Sequence, residues 1–330
     1  DYGAEININN STFMDNEAVN GGVIYSIGKL SITDSSFYFN KATGLGGAIY
    51  SKGDVTINAV NKEVGFADNI YGSGEFANAI YMEGTEESPI TLALNSKNST
   101  NEISIDDEIN GSYYNILIND ADDSLGDIVF YNKVNTGSLT VSKGLLENNG
   151  VVTVTSGANN GSISCDNTLS DVKGDFILDD KGSATPLVFN NNGSFTQNSL
   201  TIKSGEFKTD TNNLHITNDI VNDGTLVFNN ADSGSIGQNI KGSTTSSNGV
   251  VEIAAQDGVT INLDGKSITN NDVKLTSGIF DVTSNAEADG DIDISSVGKS
   301  IIANGGILSV QDNKAGEINL GDINTGTGSE

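Results

Sequence analysis

The chain repeats itself near its N-terminus, and the repeat length constrains the fold more than any other feature. A Phe-x-x-Asn motif occurs three times, pairing Phe13 with Asn16, Phe37 with Asn40 and Phe66 with Asn69. A Gly-Gly-x-Ile-Tyr motif places Gly21, Gly22, Ile24 and Tyr25 in one copy and Gly46, Gly47, Ile49 and Tyr50 in the next. A worn third copy reads Ala77-Asn78-Ala79-Ile80-Tyr81. The phenylalanines lie 24 and 29 residues apart, and the isoleucines Ile24, Ile49 and Ile80 lie 25 and 31 apart. A period of roughly 25 residues belongs to solenoids, whose repeats bury their apolar faces only by stacking on one another.

Beyond Gly84 the motifs fade but a strand rhythm continues. Apolar residues alternate at Ile90/Leu92/Leu94, Ile103/Ile105, Ile116/Ile118, Leu139/Val141 and Val152/Val154. The same rhythm returns at Leu200/Ile202, Leu214/Ile216, Leu226/Phe228, Val251/Ile253, Val259/Ile261/Leu263, Val273/Leu275, Ile292/Ile294 and Leu308/Val310. A period of two is that of a strand with one buried face. Turn-forming clusters such as Asn190-Asn191-Asn192-Gly193 separate these runs. No segment sustains an apolar 3.6 period over three turns, so no helix is expected.

Many short strands also suit a β-sandwich. The coil-length repeat, the recurrent Asn-rich turns and the unbroken rhythm favour a solenoid instead. The sequence therefore predicts an all-β, single-stranded, right-handed parallel β-helix of the pectin-lyase-like type. It reads as one continuous fragment over 1–330. Residues 10–84 carry the two motifs, and 85–330 form degenerate coils. The motif residues have structural roles in this reading. The glycines supply positive φ or close stacking of coils. Ile24, Ile49 and Ile80 point into the core, and the tyrosines point outward or cap a turn. Phe13, Phe37 and Phe66 stack on each other between coils, and Asn16, Asn40 and Asn69 tie down the turns that follow.

Charge narrows the function. With 16 basic residues, all lysine, against 44 acidic ones, the net charge is −28. Phosphate backbones and anionic membranes repel such a chain, so no nucleic-acid partner is expected. One cysteine and one histidine exclude an internal disulfide, a zinc site of the usual kind and two-histidine metal sites. Cys165 follows Ile163 by two and should face inward as a buried thiol, whereas His215, between Leu214 and Ile216, should face solvent. Asp106-x-Glu108-x-Asn110-Gly111 begins like a calcium loop. Its twelfth position is Leu117, where a bidentate Glu is required, so the pattern fails. No cofactor and no specific metal ligand is expected, loosely held surface calcium being the one metal role the acidity suggests.

The repeated Gly46-Gly47-Ala48-Ile49 and Phe37-Tyr38-Phe39-Asn40, with Gly21-Gly22-Val23-Ile24 and Phe13-Met14-Asp15-Asn16, resemble the polymorphic outer membrane proteins and, more broadly, the passenger domains of bacterial autotransporters. The motif match covers about residues 10–81, and the remainder is similar in texture alone. The resemblance implies a right-handed β-helix, export to the bacterial surface or beyond, and adhesion. It also implies a membrane barrel in a C-terminal part outside this sequence, and both ends read as those of a segment of a longer protein. The expected role is an adhesin or rigid spacer at the cell surface, with a host or environmental receptor or glycan as partner.

The rival is a polysaccharide-active β-helix enzyme or tailspike-like depolymerase. Its carboxylates would be sought at Asp122/Asp123, Asp179/Asp180 or Asp291/Asp293, each of which reads more simply as a solvated turn. The Gly-His-Gly and Arg-Ile-Lys segments of polygalacturonases are absent, so no catalytic residue is nominated. A stacked solenoid exposes unpaired strand edges at its first and last coils. Hydrogen exchange on the 1–330 fragment should therefore be fastest at the termini, and uniform protection from end to end contradicts the stacked-coil reading.

Overall fold

Alternating Ile, Val and Leu convert almost every apolar run of the sequence into a short strand. In the computed structural model, which describes residues 4–73, 76–166, 173–284, 292–294, 299–312 and 318–325, these strands run from two to nine residues. Among the described residues the only helical element is the 3-10 turn Thr211–Asn213, and no helix is long and apolar enough to cross a membrane. Apart from the antiparallel pair Ile70–Tyr71 and Phe76–Ala77, the paired strands described stack in parallel, coil upon coil, and the fold is a parallel β-helix. It comprises two compact units, Asp1–Asp175 and Phe176–Glu330.

In the first unit one face is built by Glu5–Asn9, Lys29–Thr33, Val55–Ala59, Ile90–Ser96 and Tyr114–Ile118, each in parallel register with the next. A second face stacks Ile24–Ser26, Ile49–Ser51, Ile80–Glu83 and Ile109–Ser112. A third stacks Thr12–Met14, Ser36–Tyr38, Val64–Ala67, Ile103–Ile105 and Asp127–Phe130. Contacts between successive coils span 24, 25 or 29 residues where the motifs are intact and 37 where an insertion widens the coil. The second unit repeats the arrangement with Val188–Asn191, Glu206–Thr209, Thr225–Phe228, Val250–Ala254 and Asp272–Ser277. A neighbouring stack there comprises Ser199–Ile202, Ile220–Asn222, Ile240–Lys241 and Ile268–Thr269.

Parallel in-register stacking sets equal positions of successive coils about 4.8 Å apart, so like side chains meet. The rings of Phe13, Phe37 and Phe66 stack at 5.1 and 4.8 Å. On the second face Ile49 and Ile80 are fully buried, with Ile24 nearly so. Tyr25, Tyr50 and Tyr81 form a second column, at 5.1 and 5.4 Å, on the opposite side of their strands from the isoleucines. The tyrosines were expected to point outward or cap a turn; stacking buries the middle one, so that Tyr50 is 7% exposed against 50% for Tyr25. Among the described residues of the second unit the stacking stops at one pair, Phe189 on Phe207 at 5.4 Å. Phe176, Phe189, Phe195 and Phe207 instead pack in its core, mostly edge to face.

The two glycines of each motif do different work. Gly21 and Gly46 sit at φ +59° and +69°, whereas Gly22 and Gly47 make room for the next coil. A Cβ on Gly47 would lie 2.5 Å from the carbonyl oxygen of Asn78 and 2.6 Å from the amide of Ile70. The alternation read from sequence holds through most of the chain. It fails at Leu308/Val310, where Leu308 is half-buried and Val310 is 43% exposed. Among the described residues their strand, Ile307–Asp312, pairs on one side only, so the inward positions lack a covering coil. Val259 is also only half-buried, because its strand begins one residue later at Thr260. Ile294 is buried as expected.

The residue before each motif asparagine adopts a left-handed conformation: Asp15 at φ +56°, Phe39 at +57° and Asp68 at +57°. Aspartate tolerates this corner through local hydrogen bonding, whereas a bulky side chain costs roughly 1–2 kcal/mol there. Phe39 is 52% exposed and recovers little of that by burial. Phe39→Asn should therefore raise stability by about 1 kcal/mol, and Gly47→Ala should lower it by about 3 kcal/mol through backbone collision. Denaturant unfolding of both variants checks the pair; a destabilised Phe39→Asn would show that the ring has a packing role.

Candidate functional site

The motif residues assemble into columns in the first unit, and the asparagine column ends unexpectedly. Asn16 Nδ2 donates to Asn40 Oδ1 at 2.9 Å, and Asn40 Nδ2 donates to Asn69 Oδ1 at 2.9 Å. The Nδ2 and backbone N–H of Asn69 both donate to Oδ2 of Asp107, at 2.8 and 2.9 Å. Asp107 is only 4% exposed. It sits inside the stretch that resembles the start of a calcium loop, yet at a position that pattern leaves blank. Its neighbour Glu108 accepts from Asn110 Nδ2 and lies 3.8 Å from Lys133 Nζ. The columns therefore occupy Phe13, Asn16, Phe37, Asn40, Phe66 and Asn69 in coil-to-coil contact.

The other residues singled out from sequence are dispersed. Asp122 and Asp123 are exposed. Asp179 accepts from the Lys181 N–H and the Ser204 hydroxyl, and buried Asp180 accepts from the Gly182 N–H, so this pair closes a turn. The Asp291/Asp293 pair cannot be placed, since Asp291 lies outside the described residues. Cys165 is buried and His215 exposed, as their spacing predicts. Among the described residues no three His, Cys, Asp or Glu side chains converge as metal ligands.

Shallow grooves open on each unit. On the first, a groove of about 260 Å³ is lined by Tyr38, Gly65, Glu63, Glu102, Ser104 and Asp106. Burial, then the charges of Glu147, Glu63, Asp127 and Asp106, hold the Glu102 carboxyl above the usual carboxylate range. On the second unit, two grooves of about 630 and 430 Å³ share Thr217, Gly237 and Gln238. The larger holds Asp219, Lys241, Lys266 and Asn239, and the smaller holds His215. Lys241 Nζ donates to Asp219 Oδ2 at 2.9 Å, and Asn239 Nδ2 donates to Oδ1 at 3.2 Å. The lysine hydrogen bond, acting against burial and aided by Asn239, keeps the Asp219 carboxyl below its ordinary range.

Sequence reasoning missed Asp107 and every lysine of the grooves. Asp107 joins the asparagine column through the register that sets Phe66 against Ile105, a step of 38 residues that no sequence motif marks. The grooves had no signal either: their residues come from three or four coils of unequal length. Comparisons with family models, with curated proteins and with solved structures give no match to this chain.

Burial, opposed by the two Asn69 hydrogen bonds and reinforced by Asp106 and Asp68, raises the Asp107 carboxyl from 3.8 to about 6. Between those values the folded protein holds a proton that the unfolded chain has released, so this residue's contribution to stability falls as pH rises through that window. Asp107→Asn keeps an oxygen for Asn69 and removes the buried charge. It should stabilise the protein by about 2 kcal/mol at pH 7, with the gain shrinking toward pH 4. Melting temperatures across pH 4–8 test this, and an equal loss of stability at every pH would contradict it.

Proposed function

We propose that the chain is a surface-exposed passenger segment of a secreted or outer-membrane, autotransporter-like protein, acting as an adhesin or rigid spacer. One observation carries this reading. The residues that produce the resemblance, Phe13 to Asn69 and Gly21 to Ile80, are consumed in coil stacking, so contact with the outside falls to outward strand faces and shallow polar grooves. A stacked scaffold with open grooves suits recognition of extended surface molecules better than enclosure of a small one. Its negative charge favours solubility during export. The partner in this reading is a surface receptor or glycan, and a membrane barrel would lie in another part of the full-length protein.

A polysaccharide-active enzyme is the second reading, and the acidic groove at Glu63, Glu102 and Asp106 favours it. A carboxyl raised above its usual range with two further carboxyls in the same groove is the arrangement a general acid needs. Binding of the 1–330 protein to a glycan array, with reducing-end release assayed on the same panel, separates the alternatives. Binding without release is the expected outcome. Release that is abolished by Glu102→Gln would establish the enzyme. Neither signal would leave the spacer role.

A further inference from the structure

We propose that the larger groove of the second unit, at Asp219, Lys241 and Lys266, binds an anionic polysaccharide through the sugar carboxylate or sulfate. The lysines supply the charge, and Asn218 and Gln238 hold neighbouring hydroxyls. The inference rests on the adhesin reading and adds the ligand class and the site.

The argument begins with charge. The chain carries −28, and the acidic groove of the first unit is lined by three carboxylates and no lysine. The larger groove of the second unit has the opposite balance, two lysines against one carboxylate. Lys241 and Asn239 already satisfy that carboxylate. Lys266 is half-buried in the wall and makes neither an ion pair nor a side-chain hydrogen bond among the described residues. Its charge acts on Asp219 only at longer range, behind Lys241 and Asn239, so two ammonium groups face one carboxylate and the surplus positive charge favours an incoming anion. With no arginine in the chain, this recognition works by point charge rather than a bidentate fork, and must weaken with salt.

The remaining lining fits a sugar polymer. The Gln238 side chain is half-buried and makes no hydrogen bond among the described residues, so its amide is free to donate and accept. Hydroxyls of Ser199 and Thr217 stand in the same wall. Neither adjoining groove contains Phe or Tyr, so the stacking on which neutral sugars depend is missing. The two grooves are contiguous through Thr217, Gly237 and Gln238, which suits an extended chain more than a single small anion. Gly237 lines both grooves, a Cβ there would meet nothing within 4 Å, and its φ lies outside the left-handed region. A large side chain at Gly237 can therefore fill the groove without disturbing the fold.

Calorimetric titration at low and high salt, with four defined probes, tests the assignment. The probes are hexagalacturonate for carboxylate, a sulfated heparin hexasaccharide for sulfate, and xylohexaose and cellohexaose as neutral controls. At least one acidic probe should bind, more weakly at high salt, and the neutral probes should bind at least about tenfold more weakly. Which acidic probe binds distinguishes carboxylate from sulfate. Lys266→Glu should weaken binding by about tenfold or more, and Gly237→Phe should do so with an unchanged melting temperature. Lys97→Glu, an equal charge change on the first unit, should leave affinity unaltered.

Neutral probes binding as well as acidic ones would overturn the proposal. So would unaltered affinity in both groove variants, an equal loss in Lys97→Glu, or binding of neither acidic probe. If the glycan array is positive while the groove variants behave as wild type, the site assignment falls and the adhesin reading stands. If the array is blank as well, the adhesin reading falls with it.

Discussion

Each coil finds the partners for its backbone only in the coil above and below it. A lone repeat of this sequence has too little apolar surface to fold, and its strands leave N–H and C=O groups unmatched unless another coil lies alongside. Parallel, in-register pairing answers both needs at once. It also forces like positions to meet, so a residue is selected by how well it tolerates its own kind. Phenylalanine, tyrosine and asparagine satisfy this condition, as the columns through Phe37, Tyr50 and Asn40 show. An amide both donates and accepts, and so can pass a hydrogen bond indefinitely along a column. A carboxylate can only accept. Asp107 therefore terminates the asparagine column, and its burial leaves one acidic group where the repeats had placed neutral ones.

The same condition shapes the surface. Outward residues are free of the core but not of their neighbours one coil away, so charges of like sign are tolerated only where solvent screens them. Lysines recur beside carboxylates of the adjacent coil, as in Lys52 with Glu83, Lys241 with Asp219 and Lys274 with Glu252. These exposed pairs contribute little stability each. They do position their partners. Around Asp219 two lysines, Lys241 in contact and Lys266 at longer range, face one carboxylate and leave the groove a surplus positive charge. Around Glu102 no lysine intervenes, and the carboxyl stays above its ordinary range. One scaffold thus presents two grooves of opposite electrostatic character on its two units.

Much of this architecture was legible before any coordinates. The strands at Leu92, Ile116, Leu200, Ile253 and Leu275 bury the residues that alternation marks, because the period of a strand is written in adjacent residues. Cys165 and His215 fall on the predicted sides for the same reason. The left-handed corner at Phe39 was not legible, since the sequence there shows an aromatic where its two sister corners carry aspartate. Leu308 and Val310 keep the pattern of a buried strand but lack the coil that would bury them.

The sequence by itself determined the fold class and the inward-facing residues, because both follow from local periodicities of two and about 25 residues. Tertiary structure alone decided which carboxylate is buried and which charges share a groove. Those outcomes depend on register between coils of unequal length. The asparagine column steps by 24, then 29, then 38 residues to reach Asp107. The contact from Asp219 to Lys241 spans 22 residues, while Asn239 reaches Ser267 across 28. Loop insertions shift these spacings without leaving a pattern in the sequence, so only the folded chain brings the side chains together.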